Sequence, residues 1–205
     1  MVKPPKTIGV ILAGGKSRRM GRDKALLSVG ETTLLELMQT RLEALTCLDE
    51  IVISRDQAVP PRARPSDKTH RHLLDIKGNL GPIGALHTLA NHYPNCRTLI
   101  IPVDMPLLEL SLLEQLCRTS HTEGTESSAL YYEGYYLPLM LTLNEATATQ
   151  LARRVAADAP DRSIASLLAD LGARVLTAPA DLAQFANINT FEDWQKLRGS
   201  LSLGH

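Results

Sequence analysis

The hydrophobic positions of the chain alternate between strand-like runs and helical spacing. Thr7-Ile-Gly-Val-Ile-Leu12 is short and nearly all apolar, and predicts a buried strand. Leu34, Met38, Leu42 and Leu45 then recur at helical spacing, with Thr33 and Glu36 placed as a capping box at the start. Glu50-Ile-Val-Ile-Ser54 predicts the next buried strand, and residues 55–69, rich in Pro, Arg and polar side chains, predict a surface loop. His72-Leu-Leu-Asp75 is a short apolar run ending in a carboxylate, and Gly81-Pro-Ile-Gly84 opens a helix expected to reach about Asn91.

The second half repeats the pattern. Arg97-Thr-Leu-Ile-Ile-Pro-Val103 predicts a strand closed by Asp104-Met-Pro106, and Ser111 with Glu114 suggests a second capping box, for a helix to about Thr119. Ser127 to Tyr131 and Tyr135 to Leu143 read as two strands around a Glu133-Gly134 turn, a hairpin. Helical segments follow near 145–157 and 163–171, then a late strand Arg174-Val-Leu-Thr177. Thr190 with Asp193 caps a last helix to about Leu197; residues 1–6 and 199–205 are expected to fray.

Strands alternating with helices imply an α/β fold, a mostly parallel sheet covered on both faces. Ligands on such sheets sit at the carboxyl ends of the strands. The segment after Leu12, Asp75 and Asp104 each follow a predicted strand, so three regions converge on one end of the sheet.

Composition narrows the classes. The 205 residues suit one domain with a full core. Lys plus Arg and Asp plus Glu both number 22, so the surface has no global attraction for nucleic acid or an acidic membrane. Cys47, Cys96 and Cys117 are far apart in sequence and lack metal-ligand spacing, which reads as buried thiols in a reducing compartment. No apolar stretch approaches the roughly 20 residues of a membrane span, and Met1-Val-Lys-Pro-Pro-Lys has no apolar core of a signal peptide. A cytoplasmic location is the expectation.

The most informative chemistry lies in Leu12-Ala-Gly-Gly-Lys-Ser-Arg-Arg-Met-Gly-Arg-Asp-Lys24. A strand that empties into Ala13-Gly14-Gly15 can bring backbone N–H groups close to a ligand. Lys16, Arg18, Arg19, Arg22 and Lys24 add cations suited to a polyphosphate. A solvated turn with scattered positive charge is the plain alternative. A Walker A loop is excluded, because Val10 stands where its first Gly belongs, and the dinucleotide Gly-x-Gly-x-x-Gly fingerprint is missing. Asp104, fixed between Pro102 and Pro106, suits the Mg²⁺ that accompanies a nucleoside triphosphate, or else serves as a turn or N-cap residue. Asp75 is a second strand-end carboxylate, open to the same turn reading. Asp23 either orients Lys24 or is simply solvated.

Leu-Ala-Gly-Gly-x-Ser-x-Arg-Met-Gly-x-Asp-Lys resembles the signature loop of nucleotidyltransferases of the molybdenum cofactor guanylyltransferase type. Every specified position matches: Leu12, Ala13, Gly14, Gly15, Ser17, Arg19, Met20, Gly21, Asp23 and Lys24. Related cytidylyltransferases more often read Leu-Ala-Ala-Gly, so Gly14 favours guanylyl transfer. Pro102-Val-Asp-Met-Pro106 resembles the family's Pro-x-Asp-x-Pro motif, whose Asp is the Mg²⁺ ligand. Asp75 stands several residues before Gly81-Pro82-Ile83-Gly84, as the family's nucleotide-contacting Asp does. Phe185-Ala-Asn-Ile-Asn-Thr190 is similar to its Asn-x-Asn-Thr segment, and Asn187 and Asn189 suit a polar pterin or phosphate edge, or else form a turn and cap. Ser54 and Leu137 depart from an Asn and a His that are usual in the family.

The resemblance implies a three-layer α/β/α, Rossmann-like nucleotidyltransferase fold. It implies Mg²⁺-dependent transfer of GMP from GTP to the phosphate of molybdopterin or molybdenum-molybdopterin, with release of pyrophosphate. Arg19, Lys24 and Asp104 would be catalytic, with Asp104 also the metal ligand. Leu12, Ala13, Gly14, Gly15, Arg19, Lys24, Asp75, Gly81 and Asp104 would bind the nucleotide, and Asn187 and Asn189 the acceptor. Its partners would be these two substrates, together with a protein that delivers the acceptor or a molybdoenzyme, and no nucleic acid or membrane. The alternatives are the same chemistry with another nucleotide or acceptor, as in a molybdopterin cytidylyltransferase, or a GTP-binding protein that has lost transfer activity.

Overall fold

The structure, a computed structural model, describes residues 5–14, 23–55, 70–76, 80–120, 127–156, 159 and 161–202. In chain order it contains β1 (Thr7–Leu12), a 3-10 turn at Lys24–Leu26, β2 (Ser28–Val29), β3 (Thr32–Thr33), α1 (Leu34–Glu43), β4 (Glu50–Arg55) and β5 (Arg71–Leu74). There follow α2 (Pro82–His92), β6 (Arg97–Pro102), α3 (Leu110–Ser120), β7 (Ala129–Tyr132) and β8 (Tyr135–Thr142). The chain ends with α4 (Glu145–Arg154), α5 (Ile164–Asp170), β9 (Arg174–Leu176), a 3-10 turn at Leu182–Phe185 and α6 (Phe191–Ser202). Seven strands form one sheet in the order β5-β4-β1-β6-β8-β7-β9. β5, β4, β1 and β6 are parallel neighbours, as are β7 and β9, and β8 runs against both β6 and β7. The expected mostly parallel α/β sheet is therefore present.

The period-2 geometry of strands sends alternate side chains to opposite faces. Ile11, Ile51, Ile53, Leu99, Ile101 and Met140 join one core with Leu34, Met38 and Leu42 of α1, Leu113 and Leu116 of α3 and Trp194 of α6. Ile8, Val10, Val52, Ile100, Leu139 and Leu141 join the other with Ile83, Leu86 and Leu89 of α2, Leu151 of α4 and Leu167 of α5. The result is three layers. Each fully buried Leu or Ile is worth about 1.5–3 kcal/mol relative to exposure, so these runs dominate the choice of fold.

Helix ends follow the sequence signals with two exceptions. Thr33 and Glu36 form the expected reciprocal capping box. Thr190 and Asp193 do the same for α6: Thr190 N–H donates to Asp193 Oδ2 (2.8 Å) and Asp193 N–H to Thr190 Oγ1 (3.1 Å). The Ser111–Glu114 box is not formed. α3 begins at Leu110, so Ser111 lies inside it and its hydroxyl donates to Glu109 instead (3.3 Å). α6 runs to Ser202 rather than stopping near Leu197, since one Gly in a helix costs only about 1 kcal/mol. The hairpin turn is as read, with Gly134 at φ 80°, where a side chain would be strained. The loop expected at 55–69 lies outside the described residues beyond Arg55, the last residue of β4.

Cys117 is buried, and Cys47 and Cys96 are partly buried free thiols. Burial first, and the neighbouring Cys47 second, push the Cys117 thiol well up. Among the described residues no helix is long and apolar enough to cross a membrane.

Candidate active site

The sheet register sets the carboxyl ends of the central strands level. Leu12 pairs with Ser54 on one side and Pro102 on the other, and Arg55 with Leu74. The last ladder bonds are Ala13 N–H to Ser54 O (2.9 Å), Val103 N–H to Leu12 O (3.1 Å) and Asp75 N–H to Arg55 O (3.0 Å). Beyond them the chain leaves the sheet, and a cleft of about 560 Å³ opens. One wall is Leu12, Ala13 and Gly14, with Asp23 and Lys24 from the turn that follows; the floor is Pro102 to Met105 at the end of β6. Gly134 to Leu137 of the hairpin, Ile164 of α5, Pro82 of α2, Asn187 and Asn189 also line the cleft. A smaller cavity of about 180 Å³, between Ser120 and the β7–β8 hairpin, has no charged side chain among the described residues of its lining.

Among the described residues, Lys24 is the one Lys or Arg that lines this cleft. Its ammonium Nζ donates to Asp104 Oδ2 at 2.9 Å and to Asn189 Oδ1 at 3.1 Å. The side chains of Lys24 and Asp104 are 18% and 23% exposed, so the pair is shielded yet reachable from the cleft. Local chemistry puts Lys24 there. Asp23 caps the 3-10 turn, its Oδ1 accepting from Ala25 N–H (3.0 Å), and its Oδ2 is ion-paired with Arg55 at the end of β4. Ala25 is fully buried and anchors the turn.

The Asn segment is tied to the same point. Ile188 N–H donates to the Asp104 carbonyl (2.9 Å), and Asp193 Oδ2 accepts from the N–H groups of Asn189 and Thr190. Those N–H groups, Thr190 first, hold the Asp193 carboxyl below its ordinary value. Asn187 and Asn189, expected from sequence on an acceptor side apart from the nucleotide residues, thus share one cleft with Lys24.

Of the other predicted positions, Leu12, Ala13, Gly14, Lys24 and Asp104 line the cleft. Asp75 stands beside it, accepting from the Ser54 hydroxyl at 2.9 Å. Ser54 thereby holds Asp75 from the place where the family carries Asn. Gly81 is the N-cap of α2 at φ 59°, ψ −150°, a conformation open essentially to Gly alone, and it precedes Pro82 of the cleft lining. Gly15 and Arg19 lie outside the described residues. Sequence reasoning missed Arg55, and it missed the aromatic lining: Tyr135 stacks on Phe185 (3.9 Å between centroids, 11° between planes), and Tyr136, 47% exposed, sits 5.8 Å from Tyr131. The Tyr-Tyr pair after the Gly134 turn was the available signal.

Asp104 fits a Mg²⁺ site of the kind completed by substrate. Among the described residues there is no group of three or more His, Cys, Asp or Glu able to cage a metal. Mg²⁺ needs no cage: one or two carboxylates, phosphate oxygens and waters suffice.

Comparison with known proteins agrees with this architecture. Residues 9–184 match the family model of the MobA-like NTP transferase domain. The molybdenum cofactor guanylyltransferase of Xanthomonas euvesicatoria pv. vesicatoria is 35% identical over 191 residues, 92% of this chain and 93% of that protein. The crystal structure of molybdopterin-guanine dinucleotide biosynthesis protein A from Archaeoglobus fulgidus superposes with a TM-score of 0.71 at 19% identity, covering 96% of this chain and 98% of that one. A 4-diphosphocytidyl-2C-methyl-D-erythritol synthase from Anaerococcus prevotii gives 0.71 at 12% identity, covering 98% of each, so the fold is shared well beyond close relatives. The chain belongs to the MobA-like NTP transferase family and is a nucleotidyltransferase.

Proposed function

We propose that the protein transfers GMP from GTP to the phosphate of molybdopterin, or of its molybdenum form, and releases pyrophosphate. The observation that carries this reading is the Lys24–Asp104 pair, held at 2.9 Å on the floor of a cleft that begins at Ala13-Gly14. Similar proteins named molybdenum cofactor guanylyltransferase support a guanylyl transfer that serves the molybdenum cofactor.

The nucleophile is an acceptor phosphate oxygen, already an anion near neutral pH because the second phosphate pKa is about 6. No general base is required. The oxygen attacks the α-phosphorus, the bond from that phosphorus to the β-phosphate bridging oxygen breaks, and its electron pair leaves with pyrophosphate. The protein must bring two anions together and offset the charge that builds on the leaving group. Lys24 does this by exchanging Asp104 for phosphate oxygens, and Asn189 keeps its ammonium aimed while it does so. The Ala13-Gly14 backbone, with Gly15 and Arg19, binds the remaining phosphates. Gly14 carries no methyl and lets the nucleotide approach the main chain. Asp104 would hold Mg²⁺, which when bound supplies Lewis-acid polarisation of phosphate oxygens. Asp75 and the α2 start at Gly81 bound the nucleotide side. The hairpin residues Tyr135, Tyr136 and Leu137 are left for the acceptor, with Asn187.

The test is pyrophosphate release from GTP and Mg²⁺, with and without molybdopterin. Acceptor-dependent release supports the reading. GTP binding with no release from any acceptor would contradict it and leave a nucleotide-binding protein without transfer activity.

A further inference from the structure

Arg55 has no part in the chemistry above, yet it is only 4% exposed and ends β4 beside the cleft. One nitrogen, Nη2, pairs with Asp23. Nε and Nη1 are buried and have no hydrogen-bond partner among the described residues. A guanidinium taken out of water with idle donors is expensive, so this ion pair is a poor device for stability. What Arg55 does hold is the Asp23 carboxylate. Asp23 in turn caps the turn through Ala25 N–H, and the residue between them is Lys24, whose Nζ reaches Asp104 and Asn189. A continuous path therefore runs from a central strand to the ammonium in the cleft.

We propose that Arg55 is a positioning residue for nucleotide transfer: by fixing Asp23 it sets the turn that aims Lys24. The inference rests on Lys24 acting on nucleotide phosphates. Arg55→Met keeps the apolar stem and removes the charge. Asp23 is 37% exposed in its side chain and can hydrate, so no buried anion is stranded. The melting temperature should hold or rise, while kcat/KM for GTP falls by about tenfold to a hundredfold, the scale of an ångström of misplacement. Arg55→Lys, which keeps the charge and loses the planar fork, should fall between.

The experiment compares wild type, Arg55→Met, Arg55→Lys, Asp23→Asn, Lys24→Ala and the Arg55→Met/Lys24→Ala double variant. Each is measured for GTP affinity by calorimetry, pyrophosphate release and melting temperature. If Arg55 acts through Lys24, the double variant is no worse than Lys24→Ala alone. Asp23→Asn retains the carbonyl that caps Ala25 and should reproduce part of the Arg55→Met loss. Losses that multiply in the double variant would overturn the proposal, as would wild-type kinetics in Asp23→Asn or in a folded Arg55→Met. Should Arg55→Met not fold, Arg55→Lys and Asp23→Asn decide on the same criteria. GTP affinity unchanged in Lys24→Ala would overturn the phosphate reading of Lys24 itself, and the inference with it.

Discussion

Replacing Asp104 by Asn separates its two roles, partner of Lys24 and metal ligand. The gross attraction at 2.9 Å is roughly 5–6 kcal/mol at an effective dielectric constant near 20. Desolvation offsets most of it. An ion pair this accessible nets at most about 1 kcal/mol over the ammonium–amide bond that replaces it, so the substitution should cost about 1 kcal/mol of stability. For a chain of this size that is a fall of about 2–4 °C in melting temperature. Nucleotide binding should split by metal. Without Mg²⁺, Lys24 no longer has an anion competing with phosphate, and GTP should bind up to about fivefold more tightly, the equivalent of that 1 kcal/mol. With Mg²⁺ the variant should bind more weakly than wild type and turn over at least about a hundredfold more slowly. The assays are calorimetric GTP titrations with EDTA and with Mg²⁺, pyrophosphate release across a Mg²⁺ series, and a thermal melt. Near wild-type turnover at limiting Mg²⁺ would refute the assignment and place the metal elsewhere.

Asn189→Ala removes an acceptor from the Lys24 ammonium, so GTP affinity and turnover should both fall by about tenfold, from a charge-assisted hydrogen bond worth roughly 1.5 kcal/mol at an exposed contact; an effect confined to acceptor KM would detach it from Lys24. Gly81→Ala meets no atom of the described residues within 4 Å of the added methyl, so its cost is backbone strain at φ 59°, about 1–3 kcal/mol by chemical denaturation; an unchanged midpoint would show that the α2 start relaxes freely. Because the Asp193 carboxyl is held below its ordinary value, its contribution to stability is complete above the unfolded-state value of 3.8 and lost as pH falls through the lower folded value. Asp193→Asn should therefore melt below wild type at pH 7, and the two curves should converge only below pH 3.8; a difference that persists in acid would exclude the carboxylate as its source.

Much of this fold is legible because its signals are local. β1 spans the apolar run Thr7–Leu12, the Thr33–Glu36 box caps α1, and Gly134 turns the hairpin. Two-residue strands such as β2 and β3 carry no period to read. Ser111 misled because a capping pattern depends on where a helix begins, and α3 begins one residue earlier. The strand ends brought Asp75 and Asp104 to one end of the sheet as expected, since parallel strands fix that geometry. The contacts that organise the cleft are different in kind. Lys24 and Asn189 are 165 residues apart and Arg55 and Asp23 are 32 apart, and no periodicity encodes such pairings. Arg55 in particular sits at the end of an apolar strand next to a Pro- and Arg-rich stretch, where a cation reads as solvated surface until the turn packs over it.

The most direct measurement is a competition assay. GTP, CTP and ATP are mixed at equal concentration with Mg²⁺, molybdopterin and the protein, and the products are identified by mass. A molybdopterin–guanine dinucleotide, formed with stoichiometric pyrophosphate and lost in Lys24→Ala, is the expected outcome. A cytosine or adenine dinucleotide as the main product, or full activity in Lys24→Ala, would contradict it.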